Sequence, residues 1–169
     1  MLSIRTAFVE EVPLLLEMIL EFATFEKLRK EVSITEAMLA RDGFGAHLRF
    51  LALIAEWNRA AAGYAICFPI YSSFQGPALF LEDVYVRPQF RDKGIGQALI
   101  GEVAAMALRE GCGALRWDVL AWNQPAIDFF KRLGAIFLDD RKTIRIGGEA
   151  LQGLAGRSNV HTPIDGQSS

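Results

Sequence analysis

The stretch Ala78 to Gln97 constrains the fold more than any other part of the chain. Ala78-Leu79-Phe80-Leu81-Glu82-Asp83-Val84-Tyr85-Val86 reads as a long strand, and Arg87-Pro88 stops it, because a residue before proline is pushed out of helical backbone. A basic loop follows, Arg91-Asp92-Lys93-Gly94-Ile95-Gly96, and Ile95 to Glu110 then reads as a helix terminated by Gly111 and Gly113. A helix N-terminus presents unpaired backbone N–H groups and the positive end of the macrodipole. Gly94 and Gly96 remove side chains where an anion must approach backbone, and Arg91 and Lys93 add positive charge. The combination suits a ligand carrying a di- or triphosphate. It is not a P-loop, since no G-x-x-x-x-G-K-[ST] is present, and it lacks the G-x-G-x-x-G of a dinucleotide fold. Taken alone, the two glycines fit a closely packed helix start equally well.

Around this unit the chain alternates strands and helices. Leu2 to Arg5 reads as a short strand, and Glu10 to about Thr24 as an amphipathic helix that tolerates Pro13 in its first turn. Ser33-Ile34-Thr35-Glu36 has capping-box spacing and opens a second helix ended by Asp42-Gly43. Phe50 to Glu56 and Ala62 to Phe68 read as strands joined by a turn at Asn58-Arg59. After the central unit, Leu115 to Leu120 is expected as a strand and Gln124 to Leu133 as a helix closed by Gly134. Residues 135–138 and 143–146 are expected to form a final hairpin. This is the order of a mixed α/β domain. Residues 1–156 are expected to form it, with 157–169 as a polar tail.

Composition excludes several classes. Apolar residues make up 51% of the 169, which rules out a wholly disordered chain. A net charge of −2 gives no general attraction to nucleic acid or anionic membrane. The apolar run Val12 to Leu20 is too short and too polar to span a bilayer, and the N-terminus does not read as a signal peptide, so a cytoplasmic protein is expected. Cys67 and Cys112 form neither a CxxC pair nor a disulfide framework and read as buried reduced thiols. With only His47 and His161 besides, no metal site is expected.

Val84-Tyr85-Val86 followed by Arg91-x-x-Gly94-x-Gly96 resembles the acetyl-CoA motif of the GCN5-related N-acetyltransferase (GNAT) superfamily. Asn123-x-x-Ala126-x-x-Phe129-Phe130-x-x-x-Gly134-Ala135 resembles the second motif of that family, after the next expected strand. The resemblance runs from about Leu2 to Ile146. Thr24-Phe25-Glu26, Asp42-Gly43-Phe44-Gly45, Leu81-Glu82-Asp83 and Ala121-Trp122-Asn123-Gln124-Pro125 narrow it to the diamine (spermidine/spermine and thialysine) acetyltransferase branch. It implies a single GNAT-like domain, α/β in class, whose mixed, mostly antiparallel central sheet carries helices on both faces. It also implies direct acetyl transfer from acetyl-CoA to a primary amine of a diamine, polyamine or lysine-like amino acid, without a metal. The backbone of Val84, Tyr85 and Val86 would pair with the pantetheine arm, with an N–H at Val84 polarising the thioester carbonyl. Arg91, Asp92, Lys93, Gly94, Ile95, Gly96 and Gln97 would hold the pyrophosphate. Asn123, Gln124, Pro125, Ala126 and Phe130 would line CoA from the other side, and homodimers are common in the branch.

The same resemblance makes Glu82 the group that takes the proton of the attacking amine, since an amine must be neutral to attack. In a regular strand Asp83 faces away from Glu82, and a bulge would bring both to one cleft. Phe25, Glu26, Asp83 and Phe74 fall on acceptor-binding positions, although Glu26 reads equally well as an exposed helix-end carboxylate. Two departures stand out. Phe130 occupies the position of a Tyr that protonates the leaving thiolate, and Tyr85, Tyr71 or water would have to replace it. Ser72-Ser73-Phe74-Gln75 lacks the carboxylate that polyamine acetyltransferases present there. The second departure weakens a polyamine acceptor and leaves a smaller amine or a lysine analogue open, while Phe130 motivates one alternative, a non-catalytic acyl-CoA-binding domain; a protein or peptide N-acetyltransferase, which would differ in its acceptor groove, is the other.

Overall fold

The computed structural model describes residues 1–140 and 142–157. They fall into two compact units, divided between Leu120 and Ala121. The first unit holds a five-stranded sheet in the order β1-β2-β3-β4-β5: Leu2–Thr6, Leu51–Trp57, Ala60–Ser72, Gly76–Val86 and Ala114–Arg116. The first four strands are antiparallel neighbours, and β5 runs parallel to β4. Helices α1 (Val12–Phe25), α2 (Glu36–Phe44) and α3 (Ile95–Arg109) complete it. The expected α/β class with a mixed, mostly antiparallel sheet is therefore found.

Alternation along the strands sends side chains to two cores. Ala52, Ile54, Tyr64, Ile66 and Tyr85 pack with Val12, Leu15, Met18 and Leu39 under α1 and α2. Leu53, Ala65 and Cys67 are buried on the opposite face, where α3 contributes Leu99, Ile100 and Val103. Each fully buried aliphatic side chain of this kind stabilises the fold by about 1.5–3 kcal/mol. Polar clamps fix the edges. Arg5 on β1 bridges Glu11, just before α1, at 2.7 Å and Glu56 on β2 at 2.6 Å. Arg87, after β4, grips Glu17 and Glu21 of α1, each at 2.7 Å.

Several boundaries differ from those read in the sequence. The cap of α2 is Thr35 rather than Ser33: its hydroxyl accepts from the Met38 N–H at 3.2 Å, so the helix begins two residues later than a box built on Ser33 implies. The Asn58-Arg59 turn is found, with φ of 52° and 70°, the left-handed pair that a tight hairpin needs. The hairpin of β3 and β4 is longer than expected and reaches to Ser72 and Gly76. Strand β5 is shorter and ends at Arg116.

The second unit carries α4 (Gln124–Arg132), whose first turn is capped by the Asn123 side chain accepting from the Ala126 N–H, and α5 (Gly148–Ala155). The expected final hairpin does not form: residues 135–138 and 143–146 carry no strand. Their alternating aliphatics Ile136, Leu138, Ile144 and Ile146 stand exposed, so the period-two pattern has no buried face to fix a register. Most of the expected polar tail lies outside the described residues.

One close approach sets the β3–β4 spacing. A Cβ on Gly63 would sit 2.2 Å from the Tyr85 carbonyl oxygen, and the glycine itself has an ordinary backbone conformation. Gly63→Ala is therefore expected to wedge β3 from β4 and cost about 1–3 kcal/mol. Urea unfolding of both proteins measures this, and equal midpoints would show that the strands yield without cost.

Candidate active site

The ladder between β3 and β4 slips by one residue at the centre of the chain. Ile66 pairs with Asp83 and Cys67 with Leu81, which leaves Glu82 as an extra residue in a β-bulge. Cross-strand partners share a face, so Leu81 lies with Cys67, while Asp83 lies with Ile66 on the face covered by α1. In an unbroken strand Leu81 and Asp83 would share one face. The bulge thus turns Asp83 away from the α3 core and leaves Glu82 exposed at the kink.

Asp83 is held by Tyr64, whose hydroxyl donates to Asp83 Oδ2 at 2.9 Å. Burial pushes the Asp83 carboxyl up to about 6, with Glu82 and Glu26 adding to the rise and the Tyr64 hydrogen bond opposing it. Burial also raises Glu26 at the end of α1. Glu82 is raised by burial and then by the nearby Asp118. Tyr64 is driven well above the usual phenol range by burial and by Asp83, so it remains a donor. None of the ion pairs among the described residues engages Glu26, Glu82 or Asp83.

A second acidic region lies nearby and behaves differently. An open recess of about 730 Å³ is lined by Glu17, Glu21, Thr24, Arg29, Tyr85 and Arg87. Its carboxylates Glu17 and Glu21 are already paired with Arg87. Glu26, Glu82 and Asp83, by contrast, are raised by burial and enter no ion pair among the described residues.

Beside this trio runs an open strand edge. Strand β5 pairs with β4 only over Ala78 to Phe80, so beyond Phe80 the far side of β4 has no strand partner among the described residues. Val84, Tyr85 and Val86 lie in that stretch. The chain then passes through a short 3-10 turn, Pro88–Phe90, to the basic loop. Asp92 and Gly94 both adopt positive φ, at 61° and 73°. Gly94 is the N-cap of α3, no side chain caps the helix, and a Cβ at Gly94 would meet nothing within 4 Å. The amides at Ile95, Gly96 and Gln97 thus begin a helix whose mouth is open, the arrangement that receives an anion. Gly94 is required for its backbone angle rather than for space. Arg91 donates from Nε to the Val86 carbonyl at 3.2 Å and lays its guanidinium 5.0 Å over the Phe25 ring, while the Lys93 ammonium sits 5.8 Å over Trp57.

The structure thus brings Glu26, Glu82 and Asp83 into electrostatic contact and joins Phe25 to Arg91. Phe74 stands 97 % exposed at the tip of the β3–β4 hairpin. Tyr71 is exposed as well, and Tyr85 is buried in the α1 core with its phenol raised by burial and by Glu21. In the second unit Phe130 is buried, its ring 5.4 Å from that of Phe129. Tyr64 and Asp118 do not stand out in the sequence. The only signal for Tyr64 is a tyrosine within an aliphatic strand, which needs a polar partner once buried.

Residues 14–135 match the model of the acetyltransferase (GNAT) family. A thialysine N-epsilon-acetyltransferase of Mus musculus is 42% identical over 154 residues, covering 85% of this chain and 91% of that protein. A spermidine/spermine N(1)-acetyltransferase-like protein 1 of Homo sapiens is 32% identical over 147 residues, 83% of this chain but 21% of that longer protein. Among solved structures, an integron cassette protein from the mobile metagenome of V. cholerae superposes with a TM-score of 0.75 at 22% identity, covering 91% of this chain and 97% of that one, a likeness of fold.

Proposed function

The chain belongs to the acetyltransferase (GNAT) family and is an N-acetyltransferase, and from that premise we propose that it acetylates a primary amine on a small diamino compound such as a lysine-like amino acid. The observation that carries this reading is the set of three carboxylates, Glu26, Glu82 and Asp83, each raised by partial burial and without a cationic partner among the described residues. Desolvated negative charge of this kind is relieved by a bound cation. Acetyl-CoA supplies the activated acetyl group. The open mouth of α3 and the positive Arg91 and Lys93 suit its pyrophosphate, and the free edge of β4 at Val84 to Val86 suits its pantetheine amides. Asn123, Gln124, Pro125, Ala126 and Phe130 are assigned to CoA by the motif that they match.

Glu82 takes the proton of the attacking amine. Its pKa, raised by burial and then by Asp118, fits that role, because a base stronger than an ordinary carboxylate accepts a proton more readily. Val84 offers its N–H to the thioester carbonyl, and Phe25, Glu26 and Asp83 bind the rest of the acceptor. The Phe74 assignment rests on the sequence, since an exposed hairpin tip supports acceptor binding only where something closes over it. A cytoplasmic setting is supported by two buried free thiols, Cys67 and Cys112. A homodimer is supported by exposed Ile136, Leu138, Ile144 and Ile146.

Thiol release from acetyl-CoA over a panel of amines tests this reading. Turnover is expected with diamino acceptors, rising with pH as Glu82 ionises and falling as pH drops through its raised pKa. Glu82→Gln is expected to lower kcat about a hundredfold or more with acetyl-CoA affinity retained. Acetyl-CoA binding without thiol release for any amine would instead favour the acyl-CoA-binding alternative, to which Phe130 points.

Phe130 generates a separate expectation. A thiol of pKa near ~8.5 leaves without a strong acid, so the Tyr found elsewhere in the family is dispensable. Phe130→Tyr should raise kcat only if thiolate protonation limits the rate, and the gain would then be largest below about pH 8, where the released thiolate ends as the thiol. An unchanged kcat across pH would place the rate limit elsewhere.

A further inference from the structure

Resting on the reading of Glu26, Glu82 and Asp83 as an acceptor site, we propose that Tyr64 is a positioning residue that sets acceptor preference, by holding Asp83 ionised and aimed at the second, unreacted ammonium of a diamino acceptor. The geometry begins with an anchor. Tyr64 is fully buried in the middle of β3, its ring 6.1 Å from that of Tyr85 across the ladder. Its hydroxyl therefore has a fixed position, and it donates to Asp83 Oδ2 at 2.9 Å. No other hydrogen bond among the described residues reaches the Asp83 carboxyl, so Oδ1 has no protein donor there.

The groups that face Asp83 are Tyr64 from β3, Glu26 from the end of α1, and Glu82 on its own strand. Two of the three are carboxylates, which favour the protonated form of Asp83, as burial does. Tyr64 is the group that favours the ionised form. Because the phenol keeps its proton, it orients Asp83 without cancelling its charge. What completes the arrangement is a cation at the free oxygen. The amine that reacts must lose its proton near Glu82, so the cation is the acceptor's other ammonium. A monoamine has none, and gains nothing from Asp83. Preference between the two acceptor types then depends on how much of Asp83 is ionised, which Tyr64 controls.

Tyr64→Phe retains the ring and its packing and removes only the hydroxyl. For a diaminoalkane acceptor it is expected to raise KM about tenfold near pH 7, with kcat changed less than about twofold. The acidic limb of 1/KM for the diamine should move upward by about one pH unit, while the limb of kcat set by Glu82 stays, because loss of the donor raises the Asp83 pKa further and its charge is lost as pH falls through that value. KM for the matching monoamine should not move. Asp83→Asn should give the same loss for the diamine, and adding Tyr64→Phe to it should cost nothing more. Carboxyl-carbon NMR of the Asp83 resonance reads the same claim without turnover: its titration midpoint should rise by about one unit in Tyr64→Phe. An unmoved midpoint, or an equal rise in KM for the monoamine, overturns the proposal. If the protein acetylates no amine at all, the acceptor reading fails, and the midpoint alone still decides whether Tyr64 holds Asp83 ionised.

Discussion

The ladder between β3 and β4 is the interaction on which the rest of this molecule depends. It is long, it is central, and it is tight enough at one end that Gly63 admits no side chain against the Tyr85 carbonyl. It also carries a single slip, between Ile66 and Cys67, that leaves Glu82 over. A one-residue slip reverses the facing of every side chain beyond it. Before the slip, β4 gives Leu81 to the same face as Cys67. After it, β4 gives Asp83 and Tyr85 to the α1 face, and its far edge, from there on, is unpaired by β5. The kink, the half-buried carboxylate and the open edge therefore lie together, and they arise shortly before the anion-receiving helix α3.

Charge balance then separates site from scaffold. Arg5 satisfies Glu11 and Glu56, and Arg87 satisfies Glu17 and Glu21, all at the joints between sheet and helix. Those pairs position α1 and its terminal Glu26. Glu26, Glu82 and Asp83 receive no such partner, and burial raises all three. A fold that pairs its carboxylates at these joints but leaves three partly desolvated ones together is less stable there than it need be, as is common where a ligand completes the site.

Much of this is legible in the sequence because it depends on local rules. The strand stop at Arg87-Pro88, the helix opening at Gly94 and the hairpin at Asn58-Arg59 each follow from one or two residues. So does the branch resemblance, through Leu81-Glu82-Asp83. The bulge is legible only as an alternative, because alternation within β4 cannot reveal a slip that its pairing with β3 decides. Tyr64 is invisible for the same reason: its role exists only where β3 brings it opposite β4. The two local signals that mislead do so without tertiary support. Ser33 has the right spacing for a capping box, yet Thr35 captures the Met38 amide. The aliphatics at 136, 138, 144 and 146 alternate as strands do, yet nothing buries them, and no ladder forms among the described residues.

The central claim is that three partly buried, unpaired carboxylates, Glu26, Glu82 and Asp83, receive a cationic acceptor. Calorimetric binding of a diaminoalkane to the CoA-loaded protein, repeated in buffers of different ionisation enthalpy, tests it most directly. Burial pushes the Asp83 carboxyl up to about 6, and where it is protonated it must give up that proton to receive an ammonium. Binding near pH 6 is therefore expected to release protons, with the release shrinking toward about pH 8. Binding with no proton release at either pH, or equal affinity for an uncharged analogue of the same shape, would contradict the account.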